Sequence, residues 1–246
     1  LGTIHPIAEI ARRTHAAGAR LMVDGVAYAP HRRVDVRAFG ADFYVASLYK
    51  IFGPHCAALY VERSSLAAAA NINHEFVPRE AIPYKLQPGG ATYELGASLP
   101  AVVEYLDELG RRALANGENA SRAARISAAF EAIAAHEEAV VAPLLDFLSS
   151  RDDVRLLGVA SADRTRRVAT VSFAVHDRLA SEIPTALDAE RIGIRYGDFH
   201  SRRLVQKLGL AERQGVVRIS LAHYTTYEEI ARTIAALESA LESALG

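Results

Sequence analysis

The sequence predicts an α/β chain, with a mainly parallel sheet in its first part and a small α+β domain after it. Three observations carry this. Two short apolar runs, Leu21-Met22-Val23 and 43–46, each stop at a polar residue, Asp24 and Ser47, as buried strands of a parallel sheet do. An Ala-rich stretch over 118–149 keeps Ile126, Phe130, Ile133, Val140 and Leu144 on one stripe and reads as a long helix. Beyond it, short strand and helix patterns alternate, which suggests a small domain with a mainly antiparallel sheet.

Taken in order, 6–17 reads as a helix: Ile7, Ile10 and Ala11 share a face, Pro6 suits a first turn and Gly18 ends it. The Leu21 strand follows. One helical turn is expected at 36–39, stopped by Gly40, and a further strand at 57–61. Gly53 either lets the backbone pass close to a ligand or is a plain turn glycine. Residues 64–95 mix Ala, Asn, Pro and Gly without sustained periodicity and read as the longest loop region. A helix spans 99–109, and Pro143 is expected to kink or restart the long helix after it. Strands are expected at 168–175, 192–196 and 216–221, a helix at 183–191, and a closing amphipathic helix at 226–245 with Ile230, Ile234, Leu237 and Leu241 inward.

Composition excludes several classes of function. Half of the 246 residues are hydrophobic, enough for one large or two modest cores. A formal charge of -1 gives no electrostatic case for binding nucleic acid or a membrane surface. No apolar run approaches the ~20 residues of a membrane span. A single cysteine, Cys56, permits no internal disulfide, so a reducing, cytoplasmic setting is expected. The nine histidines include no close ligand-type pair, so no metal site is expected.

Because ligands of open α/β sheets bind where parallel strands end, Asp24 and Lys50 should face one crevice. An amine and a carboxylate so placed suit pyridoxal phosphate: the amine bonds the cofactor aldehyde, and the carboxylate keeps the pyridine nitrogen protonated. Strand ends are also simply wet, which is reason enough for a Lys and an Asp there. The wider pattern decides between these. Asp24, Pro30-His31, Asp35-Val36, Asp42-Phe43, Ser47-Leu48-Tyr49-Lys50 and Gly53-Pro54 follow one another in an order that resembles the class V aminotransferase superfamily, and within it the cysteine desulfurase-like enzymes.

The resemblance implies a fold type I enzyme dependent on pyridoxal 5'-phosphate, with Lys50 as Schiff-base lysine, Asp24 as pyridinium partner and Ser47 as phosphate ligand. Tyr49 stands where the family has a phosphate-touching His, and Ala27 where it has Gln or His near the cofactor phenol oxygen. Gly89-Gly90-Ala91-Thr92 resembles the segment that reaches into the neighbouring subunit, which implies Thr92 as a phosphate ligand, a homodimer and shared active sites. Val216-Val217-Arg218-Ile219-Ser220-Leu221 resembles the closing motif, whose Arg grips the substrate α-carboxylate, so Arg218 is the expected substrate contact. Arg195 is a second-rank candidate.

In that family a long helix bridges the two domains, which puts the boundary near Gly117: 1–117 as part of the large cofactor-binding domain and 118–246 as the small domain. The chain opens on Leu1-Gly2-Thr3 without an initiator Met, in what the resemblance makes the middle of a domain, and is expected to be the C-terminal portion of a longer enzyme acting on an amino acid. Where the desulfurases keep a persulfide-forming Cys, this chain has His200. Cys56 is expected to be buried packing. Two rival readings are a protein that kept the fold and lost the activity, and an unrelated α/β enzyme in which Lys50 binds only phosphate.

Overall fold

In the computed structural model, which describes residues 1–87 and 89–242, the chain separates into two units. One is Pro6–Phe130; the other joins Leu1–His5 to the residues from Glu131 onward.

In the Pro6–Phe130 unit, α1 (Ile7–Ala16) forms where its apolar spacing predicts, with Pro6 as its cap residue and Gly18 left-handed (φ 72°) beyond its end. Glu9 ties its first turn to Arg12 and Arg13 at 2.7 and 2.6 Å. Strands β1 (Met22–Asp24) and β2 (Phe43–Ser47) pair in parallel, Asp24 opposite Val45. Between them the single turn α2 (Val36–Phe39) is held by Asp35, whose carboxylate accepts the Ala38 N–H at 3.0 Å, and ends at Gly40 (φ 65°).

Strand β3 (Ala57–Val61) pairs with β2 antiparallel, Ser47 opposite Ala57. The connection 48–56 is shorter than the dozen or so residues a parallel crossover needs, so a hairpin is the available geometry. Burial is also one-sided. Val23, Tyr44 and Ala46 pack on Ala29 and Ala41, whereas Met22 is 61% and Leu59 50% exposed. The expectation of strands buried on both faces is corrected: a short apolar run reads alike whether one face or two are covered.

Two helical boundaries differ from expectation. Helix α3 (Arg63–Ala68) starts at Glu62, whose side chain accepts the Ser65 N–H at 2.9 Å; six residues are too few to show a period. Helix α4 (Tyr93–Ala113) begins well before the predicted 99 and carries Pro100 in its interior. The loop between them is pinned by Lys85, fully buried, whose ammonium donates to the carbonyls of Ala67 (3.3 Å) and Ala69 (2.9 Å). Helix α5 (Arg122–Ser149) crosses from one unit into the other. Its start approaches α4 so closely that a Cβ on Gly110 would lie 1.7 Å from the Arg125 carbonyl oxygen, and Arg125 bonds Asp107 at 2.7 Å.

Pro143 does not restart α5. Val140, Val141, Leu144 and Leu145 around it are all buried, and that packing offsets the one lost helical hydrogen bond. In the second unit, β4 (Val154–Leu157), β5 (Thr170–Val175), β6 (Arg195–Gly197) and β7 (Val216–Ser220) form a wholly antiparallel sheet in the order β4-β5-β7-β6. α6 (Glu182–Asp188) and α8 (Tyr227–Glu242) pack with α5 on one face, through Ile183, Leu187, Ile230 and Leu237 against Val171, Phe173, Val217 and Ile219. Positions 243–245 of the expected closing helix lie outside the described residues. The short α7 (Arg202–Lys207) and β4 escaped the sequence reading.

The first residues tie into this sheet: the Ile4 N–H donates to Arg166 O (2.9 Å) and the Val168 N–H to Gly2 O (2.8 Å). Arg167 beside them is fully buried and gives its guanidinium to the carbonyls of Val159 and Thr170; burial lowers its pKa. No helix among the described residues is long and apolar enough to cross a membrane.

Candidate active site

Parallel pairing of β1 and β2 brings their C-terminal ends side by side. The ladder continues one residue past β1, where the Gly25 N–H donates to Val45 O at 2.9 Å. Asp24 is exposed there, and one carboxylate oxygen accepts the Val26 N–H at 3.0 Å. The turn that follows closes when the Tyr28 and Ala29 amides donate to Gly25 O. It rests on Tyr44 of β2: a Cβ on Gly25 would lie 1.9 Å from the Tyr44 hydroxyl oxygen, so only glycine fits. That hydroxyl is buried without a hydrogen-bond partner among the described residues. Burial, with Tyr28 and the Asp24 charge behind it, pushes it up to about 12.

Beyond β2 the chain makes one tight turn, Leu48–Lys50, fixed by the Leu48 N–H on Cys56 O (2.8 Å) and by the Ile51 and Gly53 amides on Leu48 O (2.9 Å each). A Cβ on Gly53 would meet the Leu48 carbonyl at 2.9 Å and Val102 at 3.2 Å, so this glycine serves the turn itself. Lys50 is exposed, with its ammonium 5.9 Å from the Tyr49 ring centroid and no ion pair among the described residues. Tyr49 stacks on His55 at 4.8 Å. Ser47 is half-buried, and Ala27 is exposed on the turn after Asp24.

The motif residues thus divide by task. Asp24, Ser47, Tyr49 and Lys50 gather at the strand ends. Asp42 instead joins three elements, accepting from the Leu21 N–H (2.8 Å) and the Ser65 hydroxyl (3.1 Å) and contacting His15 (2.8 Å). The Leu21 bond, ahead of the side-chain contacts, holds its carboxyl below the usual range. His31 is buried, as a structural histidine is. Thr92 is exposed at the start of α4, where its hydroxyl caps no amide. Cys56 is partly exposed, which corrects the expectation of burial: it precedes β3, whose first residues face outward.

Arg218 belongs to the other unit. On β7, Val217 and Ile219 enter the core, and Arg218 faces the opposite side of the sheet. Its guanidinium lies 3.8 Å from the Phe199 ring centroid, a cation–π contact, and its Nε is buried without a hydrogen-bond partner among the described residues. Burial first and the Arg195 charge second push its pKa down. Phe199 and His200 both have positive φ (50° and 64°), and the His200 N–H donates to Asp198 at 3.0 Å. Sequence reasoning passed over Tyr44 and Phe199. The continuous apolar run 43–46 does not say which face Tyr44 takes, and nothing marked Phe199.

The family model described as aminotransferase class-V matches residues 1–233. Among curated proteins, the chain is 40% identical to the aminotransferase-like protein FGM3 of Gibberella zeae, over 98% of the chain and 56% of that protein. It is 34% identical to the cysteine desulfurase-like protein ustD of Aspergillus flavus, over 94% and 49%. Among solved structures, the apo cysteine desulfurase of Thermococcus onnurineus is similar at TM-score 0.79 and 22% identity, over 99% of the chain and 57% of that one. The Escherichia coli cysteine desulfurase CsdA is similar at 0.73 and 23%, over 97% and 55%. The chain spans about half the length of these two curated relatives.

Proposed function

Since the chain belongs to the aminotransferase class-V family, we propose that it carries the lysine, the ring-nitrogen carboxylate and the substrate-carboxylate arginine of a pyridoxal phosphate-dependent enzyme acting on an amino acid. The observation that carries this is the pair at the ends of β1 and β2. Asp24 ends β1 and Lys50 closes the turn that follows the adjacent parallel strand β2, both exposed and neither ion-paired among the described residues.

That donor set fits the cofactor. A free amine and a carboxylate with an open oxygen are what an aldehyde and a pyridine nitrogen require. Bound there, pyridoxal phosphate supplies an electron sink for a bond breaking at the substrate α carbon. Lys50 would hold it through its amine, and Asp24 keeps a proton on the ring nitrogen. The Lys50 amine takes and returns the proton at the substrate Cα. Arg218 grips the α-carboxylate through two parallel N–H donors, which orients the bond to be broken. Ser47 and Tyr49 offer hydroxyls to the phosphate.

Thr92 does so for a neighbouring subunit, which makes the enzyme a homodimer with shared sites. Residues 1–117 act as the cofactor-binding part and 118–246 as the substrate-gripping part. A single thiol, partly exposed, suits a reducing cytoplasm.

The test is visible absorption of the intact enzyme with pyridoxal phosphate, before and after borohydride, followed by peptide mapping. A band that borohydride removes, with the cofactor left on Lys50, is expected. Lys50→Ala should lose the band and keep the circular dichroism of the fold. A trappable band that persists in Lys50→Ala refutes the reading.

A further inference from the structure

Phe199 and His200 follow one another in the left-handed region (φ 50° and 64°), where a side chain is crowded against the backbone. Two such residues in a row persist only where their surroundings fix them. Asp198 fixes the backbone: its carboxylate accepts the His200 N–H at 3.0 Å and its carbonyl the Ser201 N–H at 2.8 Å. The Phe199 side chain is fixed by packing. It rests on the small buried cluster of Leu157, Ala174, Val205, Leu210 and Val216, on the sheet face opposite the main core. The turn after β6 thus spends backbone strain on presenting one aromatic ring.

The ring is presented to Arg218. That residue is half-buried on β7, with Ser172 of β5 and Arg195 of β6 opposite it in register. Among the described residues it has no ion pair, and its buried Nε has no hydrogen-bond partner. A cation so placed is ordinarily held by a carboxylate, which takes the N–H edges of the guanidinium in two parallel hydrogen bonds. Phe199 holds it differently. Its ring centroid lies 3.8 Å from the guanidinium carbon, so the negative face of the ring meets the flat side of the cation. That contact fixes the plane of the guanidinium and leaves its N–H edges unoccupied.

We propose that Phe199 is the positioning residue of Arg218. Its ring holds the guanidinium in the orientation that receives a carboxylate, through a contact that does not compete with that carboxylate. This rests on the reading of Arg218 as the substrate-carboxylate residue and adds a residue that acts through it. The requirement at 199 is for aromaticity and not for bulk: a phenol ring should serve, and an alkyl chain of similar size should not.

The test compares the intact enzyme with Phe199→Tyr and Phe199→Leu. Phe199→Met, equally apolar and without a ring, should behave as Phe199→Leu, so the comparison stands if one of them misfolds. With isotope-labelled arginine and no ligand, NMR relaxation should find the Arg218 Nε–H ordered in the parent and in Phe199→Tyr, and mobile in Phe199→Leu. Calorimetric titration with propionate should give binding about tenfold weaker in Phe199→Leu and within about twofold of the parent in Phe199→Tyr. An Nε–H as ordered in Phe199→Leu as in the parent overturns the proposal, as does propionate bound equally by both. Propionate binding that is absent from the parent, or that survives in Arg218→Gln, overturns the underlying reading of Arg218 instead, and the order of the Nε–H then decides the contact alone.

Discussion

Replacing Gly25 by alanine asks whether a steric stop sets the strand end that carries Asp24. The new Cβ would lie 1.9 Å from the Tyr44 hydroxyl oxygen, 2.0 Å from its Cζ and 2.7 Å from its Cε1. The ring has little room to retreat, since Tyr44 is 4% exposed and stacks on Phe39 at 6.1 Å between centroids. Overpacking of a filled core costs roughly 1–3 kcal/mol, and clashes with the hydroxyl oxygen and two ring carbons put this case at the upper end. Loss of chain freedom in the unfolded state returns roughly 0.4–1 kcal/mol for Gly→Ala. The net expectation is a destabilisation of about 2 kcal/mol, read by urea unfolding, together with weaker binding of pyridoxal phosphate as Asp24 is displaced. Tyr44→Phe removes the 1.9 Å clash and leaves those at 2.0 and 2.7 Å, so it should not rescue Gly25→Ala. Tyr44→Leu removes the ring tip and should, which a double-mutant cycle reports as a coupling of about 1–2 kcal/mol. The steric account is refuted by a Gly25→Ala protein within about 0.5 kcal/mol of the parent. An equal cost of Gly25→Ala in the Tyr44→Leu background refutes it as well.

Three further outcomes are expected. Mixing inactive Lys50→Ala subunits with inactive Thr92→Ala subunits should restore activity in hybrids; silence after demonstrated subunit exchange counts against shared sites. Incubation with cysteine should leave Cys56 without a one-sulfur mass gain, and Cys56→Ala should keep turnover. His200, which the resemblance sets at the place of the desulfurase nucleophile, has no thiol to hold sulfane sulfur, and a Cys56 adduct with turnover lost in the variant would reverse that expectation. The cap of α3 should be acid-resistant. The Ser64 hydroxyl, then the Ser65 amide, hold Glu62 down to about 2, so its contribution is complete above the unfolded carboxylate value of about 4.3 and disappears as pH falls through about 2. The Ser65 amide resonance followed by NMR should titrate accordingly, and a midpoint near 4.3 contradicts it.

What the sequence made legible was whatever a short run of residues decides alone. Asp24 and Ser47 closed their strands because apolar runs ended there, and 57–61 was found with its bounds as read. α3 and α7 were missed because six residues hold less than two helical periods, and β4 because its Val-Arg-Leu-Leu shows no clean alternation. Which face of β1–β3 is covered, and the burial of Lys85, depend on elements far along the chain. The juxtaposition of Arg195 with Arg218 was out of reach for the same reason: it is fixed by the register of β6 on β7, and 18 residues separate the two strands. Asp42 is a further case. The motif match gave it no role, and its bonds to Leu21, His15 and Ser65 make it a joint of the fold.

The hydrogen bonds of Gly2 and Ile4 to Val168 and Arg166 also bear on how the protein is made. Residues 1–5 leave the ribosome long before the segment they pair with, and the whole Pro6–Phe130 unit is synthesised in between. Bringing the two segments together closes a loop of about 160 residues, an entropic cost on the order of 4–5 kcal/mol if the intervening chain is unstructured. Order of synthesis and order of structure therefore disagree for this strap. The inserted unit is free to fold first, while the strap must wait as an unpaired edge until Arg167 and its neighbours emerge. Pulsed hydrogen exchange during refolding should accordingly find the Ile4 amide protected later than those of β1 and β2.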